Sequence, residues 1–412
     1  MAEEDRPSKN GRVEITLCSA VGRALNQLGR TMRRISIGFA LMLSLLITGA
    51  QLRQLPDGLA DRIETLRQVH VFFRHGERMP TSLYPTDPNQ VSDFKDGLGR
   101  ISIRGKRDQY ALGQQLRGRY QGFLSADTNE VKARSSGRDR CLESMEVTLA
   151  ALYEPDEKRT FENSLRWQPV PVQTMPVDID GMLYEDSICR KDDEAIERLR
   201  TTGEGKRVLT EFKDLMSKLQ EKSGKKMKDW VSVRDLLDTL TIESSLGLEI
   251  PDWADSETLK EMEACAKYTT LLNYEPDERI RFRAGLLLKD ISLHFDDVVN
   301  NARKHKLYMY ASHDVLVAAY LSAFDSFNGL AVPSSTTVIT ELYEDSPGKF
   351  RVQMLLRNDT ETAELKPVHV PGCKIHGCTL DEWNRKVSRF IPMDWRSECG
   401  EDALPIKLYD RF

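Results

Sequence analysis

The chain has 412 residues, a formal net charge of −5 and a hydrophobic content of 40%. That length can bury one large core or two smaller ones, and the mild acidity excludes a general nucleic-acid binder. Seven cysteines are too few for a disulfide scaffold yet enough for bridges in an oxidising compartment, and seven histidines without an HxH or HExxH cluster argue against a metal-dependent hydrolase.

Residues 1–34 form a polar segment of mixed charge that ends in Arg30, Arg33 and Arg34. The stretch 35–52 reads as a signal peptide or a signal-anchor helix, with a basic flank, an uncharged apolar middle and the small-residue end Thr48-Gly49-Ala50, after which cleavage would fall. Left uncut, it would keep its basic tail in the cytosol. Either reading carries the remainder of the chain out of the cytosol.

Residues 69–73, Val-His-Val-Phe-Phe, have the β-branched and aromatic content of a buried strand, and Arg74-His75-Gly76-Glu77-Arg78-Met79-Pro80 follows directly. A strand that stops at a glycine and then a proline holds Arg74, His75 and Arg78 at its carboxyl end, where open α/β sheets bind ligands. Two guanidinium groups flanking an imidazole suit a phosphate, because the planar forks chelate its oxygens while the imidazole can attack phosphorus. Residues 81–99, with Pro85, Pro88, Gly97 and Gly99, read as a loop on the rim of a substrate cleft. A helix is expected over 103–120, with Ile103, Tyr110, Leu116 and Tyr120 on its packed face.

A second short strand is expected at 131–134, and Ser136 with Asp139 can cap a helix over 138–152, so Arg134 sits at another strand-to-helix junction. Residues 167–172 are extended and proline-marked. The heavily charged stretch 192–228 reads as solvated helix faces, and helical patterns continue over 231–240 and 256–304. A third strand at 307–311 ends in Ser312-His313-Asp314 before an apolar helix over 315–324. Taken alone, that His-Asp pair is an ordinary helix start. Segments 340–343 and 350–356 form a hairpin around 345–348, and Asn358-Asp359-Thr360 is the one N-glycosylation sequon. Cys373 and Cys378 could close a small loop, since the surroundings offer too few thiol or imidazole ligands for zinc.

Arg74 to Pro80 matches the RHGxRxP signature of the histidine acid phosphatases, and Ser312-His313-Asp314 resembles their second signature. Arg134-Ser135-Ser136 followed by Asp139-Arg140 resembles their third phosphate-gripping segment, and the chain from about 66 to 399 is similar to the secreted and lysosomal members of the prostatic type. The resemblance implies an α/β fold: a histidine-phosphatase-like mixed sheet with helices on both faces and a smaller α-helical domain. The first part of the core would span 66–180, a mostly helical insertion 181–304, and the second part of the core with the carboxy-terminal region 305–412.

It further implies an acid phosphatase that hydrolyses phosphomonoesters through a covalent phosphohistidine on His75. Asp314 would be the general acid, with Arg74, Arg78, Arg134 and His313 around the phosphate and no cofactor. Substrates would be small-molecule phosphomonoesters or phosphotyrosine, and the protein a homodimer, secreted, lysosomal or held at a membrane by its amino terminus. The resemblance pairs Cys189 with Cys399 and Cys373 with Cys378. It leaves Ile242 and Thr337 where the family has a third bridge, and Cys141 and Cys265 as buried thiols, while Cys18 precedes the hydrophobic stretch. A lysophosphatidate or inositol polyphosphate phosphatase is the specialised alternative, and a non-catalytic secreted or membrane-anchored binding protein with the same fold is the alternative of another class.

Overall fold

Strand β1, Leu66–Arg74, centres on Val69, Val71, Phe72 and Phe73 and is buried on both faces, as a strand with helices above and below must be. In the computed structural model, which describes residues 63–184, 188–274 and 276–400, this strand lies inside an eight-stranded mixed sheet. The other strands are β2 (Val131–Ser135), β3 (Val172–Gln173), β4 (Leu307–Ser312), β5 (Thr337–Ser346), β6 (Lys349–Arg357), β7 (Lys366–Pro367) and β8 (Cys378–Thr379). Their order is β3-β2-β4-β1-β5-β6-β7, with β8 also on β6. The β3, β2, β4 and β1 neighbours pair in parallel and the rest antiparallel. The hydrophobic stretch 35–52 lies outside the described residues. Among the described residues no helix is long and apolar enough to cross a membrane.

Alternation along the strands sorts side chains into two cores. Val69, Val71 and Phe73 join Leu307, Met309 and Ala311 against α1 (Ile103–Arg119) and α2 (Asp139–Leu152), which contribute Leu112, Leu116, Met145 and Leu149. On the other face Phe72, Tyr308 and Tyr310 pack with residues of two later helices, among them Leu287, Ile291, Phe295 and Leu316. Helices thus cover both faces.

Three further helices, α3 (Lys213–Ser223), α4 (Trp230–Ser245) and α5 (Ser256–Ala266), enclose a third cluster around Leu219, Trp230, Leu236, Leu240 and Met262. Asp229 caps α4 by accepting from the Ser232 N–H at 3.0 Å. The long α6 (Asp277–Val299) belongs with the sheet instead, as does α7 (Asp314–Ser322), whose residues 315–321 are all buried.

Two local expectations change. In α1, Leu116 and Tyr120 are buried but Ile103 and Tyr110 are exposed, because the packed face is built from Gly105, Gln109, Leu112, Gly113 and Leu116. A Cβ at Gly113 would lie 2.2 Å from the Thr148 carbonyl oxygen, so this glycine is what lets α1 and α2 touch. Ser136 does not cap α2, whose N-cap is Arg138, because its hydroxyl is engaged by His313. The hairpin forms where expected, with Ser346 opposite Lys349 and Gly348 at a positive φ of 74°.

Cys189–Cys399 and Cys373–Cys378 are bonded, and Cys141 and Cys265 are buried thiols outside either disulfide. Ile242 lies within α4 and Thr337 opens β5. Cys18 lies outside the described residues. Alkylating the denatured but unreduced chain should therefore label Cys141 and Cys265 and spare the four bonded cysteines; peptide mass mapping reads this directly, and a label on Cys189 or Cys399 would refute the pairing.

Candidate active site

The register of the three central strands decides where the polar residues meet. Arg74 of β1 is level with Ser312 of β4, and Ser135 of β2 is level with Ala311. All three strands therefore end at one edge, and the segments leaving them open into a cavity of about 610 Å³. Arg74, His75 and Arg78 line it after β1, Gly137 to Arg140 after β2, and His313 and Asp314 after β4. Tyr184 closes one side, while Lys225, Arg234, Asp235 and Asp238 reach it from the helical unit.

The turn after β1 is held rigidly. The His75 N–H donates to the Ser312 carbonyl at 3.0 Å, and the Gly76 N–H donates to Ser144 Oγ at 3.0 Å. A Cβ on Gly76 would sit 2.7 Å from the Gly105 carbonyl oxygen, and one on Gly105 would sit 2.3 Å from that of Glu77, so paired glycines let the turn lie against α1. Gln109 donates from Nε2 to the Arg74 carbonyl at 3.1 Å, which anchors the strand end to the same helix.

His75 is 2% exposed, and its Nδ1 is 2.7 Å from the Gly76 carbonyl oxygen. A carbonyl only accepts, so Nδ1 carries the proton and Nε2 keeps its lone pair. Burial, reinforced by Arg74, Arg140, His313 and Arg78, holds the imidazole well below the ordinary value of 6.5, so the neutral nucleophilic form persists in acid. His313 lies edge-on to it with ring centroids 5.6 Å apart. Arg140 donates to His313 Nδ1 at 3.2 Å, which assigns the His313 proton to Nε2, 3.0 Å from Ser136 Oγ.

Asp314 is the first residue of α7, where a carboxylate is favoured by the helix dipole, and its Oδ1 accepts from the Val315 N–H at 2.9 Å. Its Oδ2 is 3.4 Å from Arg74 Nη2. Burial alone would raise the pKa of this carboxyl group, but Arg74, Arg234, His313 and Arg78 outweigh burial and hold it well below the ordinary carboxylate range. With no phosphate present Asp314 is thus a carboxylate, not the carboxylic acid that a place beside phosphate suggests. The Nε groups of Arg74, Arg78 and Arg140 are buried and lack a hydrogen-bond partner among the described residues. The guanidinium groups of all three line the same cavity, which suits an anion with several acceptor oxygens.

Five of the six residues singled out from the sequence line this cavity, and Arg134 does not. In register it is level with Tyr310, as is Phe72, so it stands two residues inside the sheet edge that Arg74 reaches. Its side chain is 2% exposed and its Nη2 donates to Asp180 Oδ1 at 2.6 Å. That carboxylate also accepts from the Leu183 N–H at 3.1 Å, so the ion pair ties β2 to the segment that delivers Tyr184. Arg140, at the second position of α2, takes the place expected of Arg134. The signal was present in the run 134–140, but only the strand's length shows which arginine emerges from the sheet. Arg138 lines the cavity as well; its guanidinium donates to the Tyr184 hydroxyl and lies 4.8 Å from that ring's centroid. Nothing in the local sequence of the helical unit marks Lys225, Arg234 or Asp238, the last of which pairs with Arg78 at 2.9 Å.

Residues 65–357 match the description of the histidine phosphatase superfamily, branch 2. The chain is 31% identical to human (Homo sapiens) lysosomal acid phosphatase over 360 residues, which is 86% of this chain and 84% of that protein. It is 33% identical to human prostatic acid phosphatase over 341 residues, covering 81% and 88% of the two chains. Among solved structures, a phytase from Citrobacter braakii superposes with a TM-score of 0.59 at 16% identity, over 81% of this chain and 99% of that one. A Hafnia alvei phytase in complex with myo-inositol hexakis sulphate gives 0.60 at 14% identity, over 81% and 98%. These structural likenesses establish the shared fold.

Proposed function

Because the chain belongs to the histidine phosphatase superfamily, branch 2, and is an acid phosphatase, we propose that it hydrolyses phosphomonoesters in two displacements, with His75 as the nucleophile. Nε2 of His75 attacks phosphorus; an N–P bond forms, the bond to the ester oxygen breaks, and the alcohol departs with a proton from Asp314. Water then attacks phosphorus, gives its proton to Asp314 and releases inorganic phosphate, while His75 recovers its lone pair. Dividing the displacement replaces one high barrier with two lower ones. Arg74, Arg78 and Arg140, the last held in place by His313 Nδ1, hold the transferring oxygens, where phosphoryl transfer needs most stabilisation. The observation that carries this reading is the neutral His75, its lone pair on Nε2, in one cavity with Arg74, Arg78 and Arg140.

Asp314 receives its proton in the complex. Phosphate oxygens compete for Arg74, whose pairing with Asp314 keeps the free carboxyl group ionised. A substrate that arrives as a monoanion brings the proton with it, and the carboxyl group accepts it once the arginine field is shared with phosphate. Replacing Asp314 by asparagine should lower kcat/KM, which reports the first displacement and not the shared hydrolysis of the phosphohistidine, by roughly 10²–10⁴-fold on glycerol phosphate, the usual span for a general acid. The loss on nitrophenyl phosphate should be much smaller, because nitrophenolate departs without protonation. Equal losses on the two substrates in steady-state assays would remove the acid role.

The same reading puts the domain in the lysosomal lumen or outside the cell, led there by residues 35–52 as signal or anchor, acting on small phosphomonoesters and phosphotyrosine as a homodimer. A disulfide joining Cys189 to Cys399 across 210 residues of chain supports an oxidising compartment. Asn358, in the loop after β6, would carry glycan there.

A further inference from the structure

Arg74 and His75 are also gripped from a side that contributes nothing to the cavity wall. Segment 332–336, between α7 and β5, runs beside the end of β1. Arg74 donates from its N–H to the Thr336 carbonyl at 2.9 Å and from Nη1 to the Val332 carbonyl at 2.6 Å, and the His75 carbonyl accepts from the Ser335 N–H at 3.1 Å. The His75–Gly76 peptide is therefore held at both ends, because its own N–H reaches Ser144 Oγ on α2. That peptide sets where the next carbonyl, that of Gly76, lies. It is this carbonyl that accepts from His75 Nδ1 and orients the ring.

Ser335 takes up its place in an unfavourable conformation. It is the third residue of a tight turn closed by the Thr336 N–H on the Pro333 carbonyl at 3.2 Å, and its φ of 61° lies in the left-handed region, which suits glycine and strains a residue with a Cβ. A serine there keeps something glycine lacks. Its hydroxyl, fully buried, accepts from Gln109 Nε2 at 3.2 Å. Gln109 is itself fully buried on α1; the same nitrogen donates to the Arg74 carbonyl at 3.1 Å, and Oε1 accepts from Thr148 Oγ1 of α2 at 2.9 Å. The Arg74 carbonyl only accepts, so the amide has one orientation, and its two hydrogens hold the two sides of the turn that carries His75. Neither Gln109 nor Ser335 lines the cavity.

We propose that Ser335 and Gln109 are positioning residues for the nucleophile: Gln109 locks a strained serine whose N–H fixes the His75 backbone, and with it the line along which Nε2 meets phosphorus. Neither touches substrate, and the inference rests on the reading of His75 as nucleophile. Such a role weighs on rate and little on binding, because attack demands close alignment while the guanidinium groups still hold the phosphate.

First-turnover release of nitrophenol from nitrophenyl phosphate, with inorganic phosphate as competitive inhibitor, separates rate from binding on the full chain. Gln109→Leu removes both donors at similar bulk and should slow the first turnover by roughly 10²-fold, as a displacement of about 1 Å does, while the inhibition constant for phosphate changes severalfold at most. Ser335→Ala and Ser335→Gly should each slow it severalfold. The glycine variant also relieves the strained φ, so its thermal midpoint should stay close to that of wild type while its rate falls. At acidic pH Gln109→Glu, whose neutral carboxyl group still donates one hydrogen to the Arg74 carbonyl, should recover most of what Gln109→Leu loses. If Gln109→Leu does not fold, the two Ser335 variants decide. Unchanged rates would overturn the proposal, as would equal losses of rate and phosphate affinity, or rates that simply follow the thermal midpoint through the series. A His75→Ala variant that releases nitrophenol as fast as wild type would instead overturn the nucleophile reading, and the positioning role with it.

Discussion

Replacing His75 by alanine should abolish the covalent phosphoenzyme and lower turnover by at least about 10³-fold, since removing a nucleophile disables the residues that act with it. The assay is brief exposure to radiolabelled substrate followed by an alkaline quench, because a phosphoramidate survives base and is lost in acid. Wild type should retain label on the peptide that contains His75, and the variant should retain none. Label persisting on the variant would place the nucleophile elsewhere. The pH profile follows from the same surroundings. The folded-state value of His75 is depressed, so its neutral form is kept as pH falls below 6.5 and is lost only when pH passes through that lowered value. The acid limb of kcat/KM should therefore lie well below 6.5. Asp314 is ionised in the free enzyme, so the catalytic proton enters on the substrate, and the alkaline limb should follow the substrate's second ionisation near about 6. An acidic optimum results from both limbs.

The second large effect separates two arginines six positions apart. Arg140→Ala should reduce kcat/KM by roughly 10²–10³-fold, as removal of one charge-stabilising donor from a transition state does, with the thermal midpoint nearly unchanged. Arg134→Ala should do the reverse. It leaves the Asp180 carboxyl group fully buried and without the guanidinium it now meets at 2.6 Å, a change that costs about 3–5 kcal/mol. Its midpoint should fall by several degrees, while the molecules that remain folded keep most of their phosphate affinity. Thermal melts and kinetics on the same preparations distinguish the two cases. If Arg134→Ala melts like wild type and loses phosphate binding, Arg134 is a ligand after all.

Both effects bear on what could be read in advance. The strand before Arg74 and the strand before Ser312 were legible because a buried strand leaves a continuous apolar run, and a run that ends in charge has reached an edge. The chemistry of His75, Arg74, Arg78, His313 and Asp314 follows from those two ends. Neither Arg134 nor the face of α1 could be read in this way. Arg134 follows only the short segment Val131-Lys132-Ala133, and β2 carries on through Ser135 and keeps its arginine level with Phe72, inside the sheet. The face of α1 is set by glycines, which carry no hydrophobic signal but allow the turn after His75 and helix α2 to come close.

By itself the amino-acid sequence determined the sheet's central strands, the residues at their ends that are proposed as nucleophile and acid, and the cysteines available for pairing, since these depend on residue type and on periods of a few residues. Tertiary structure decided which guanidinium groups line the cavity, that neighbouring arginines favour the carboxylate form of Asp314, and that Lys225 and Arg234 reach the cavity. The reason is that register between strands, burial and the summed field of neighbouring charges exist only after segments more than a hundred residues apart, such as β1 and β4, have been laid side by side.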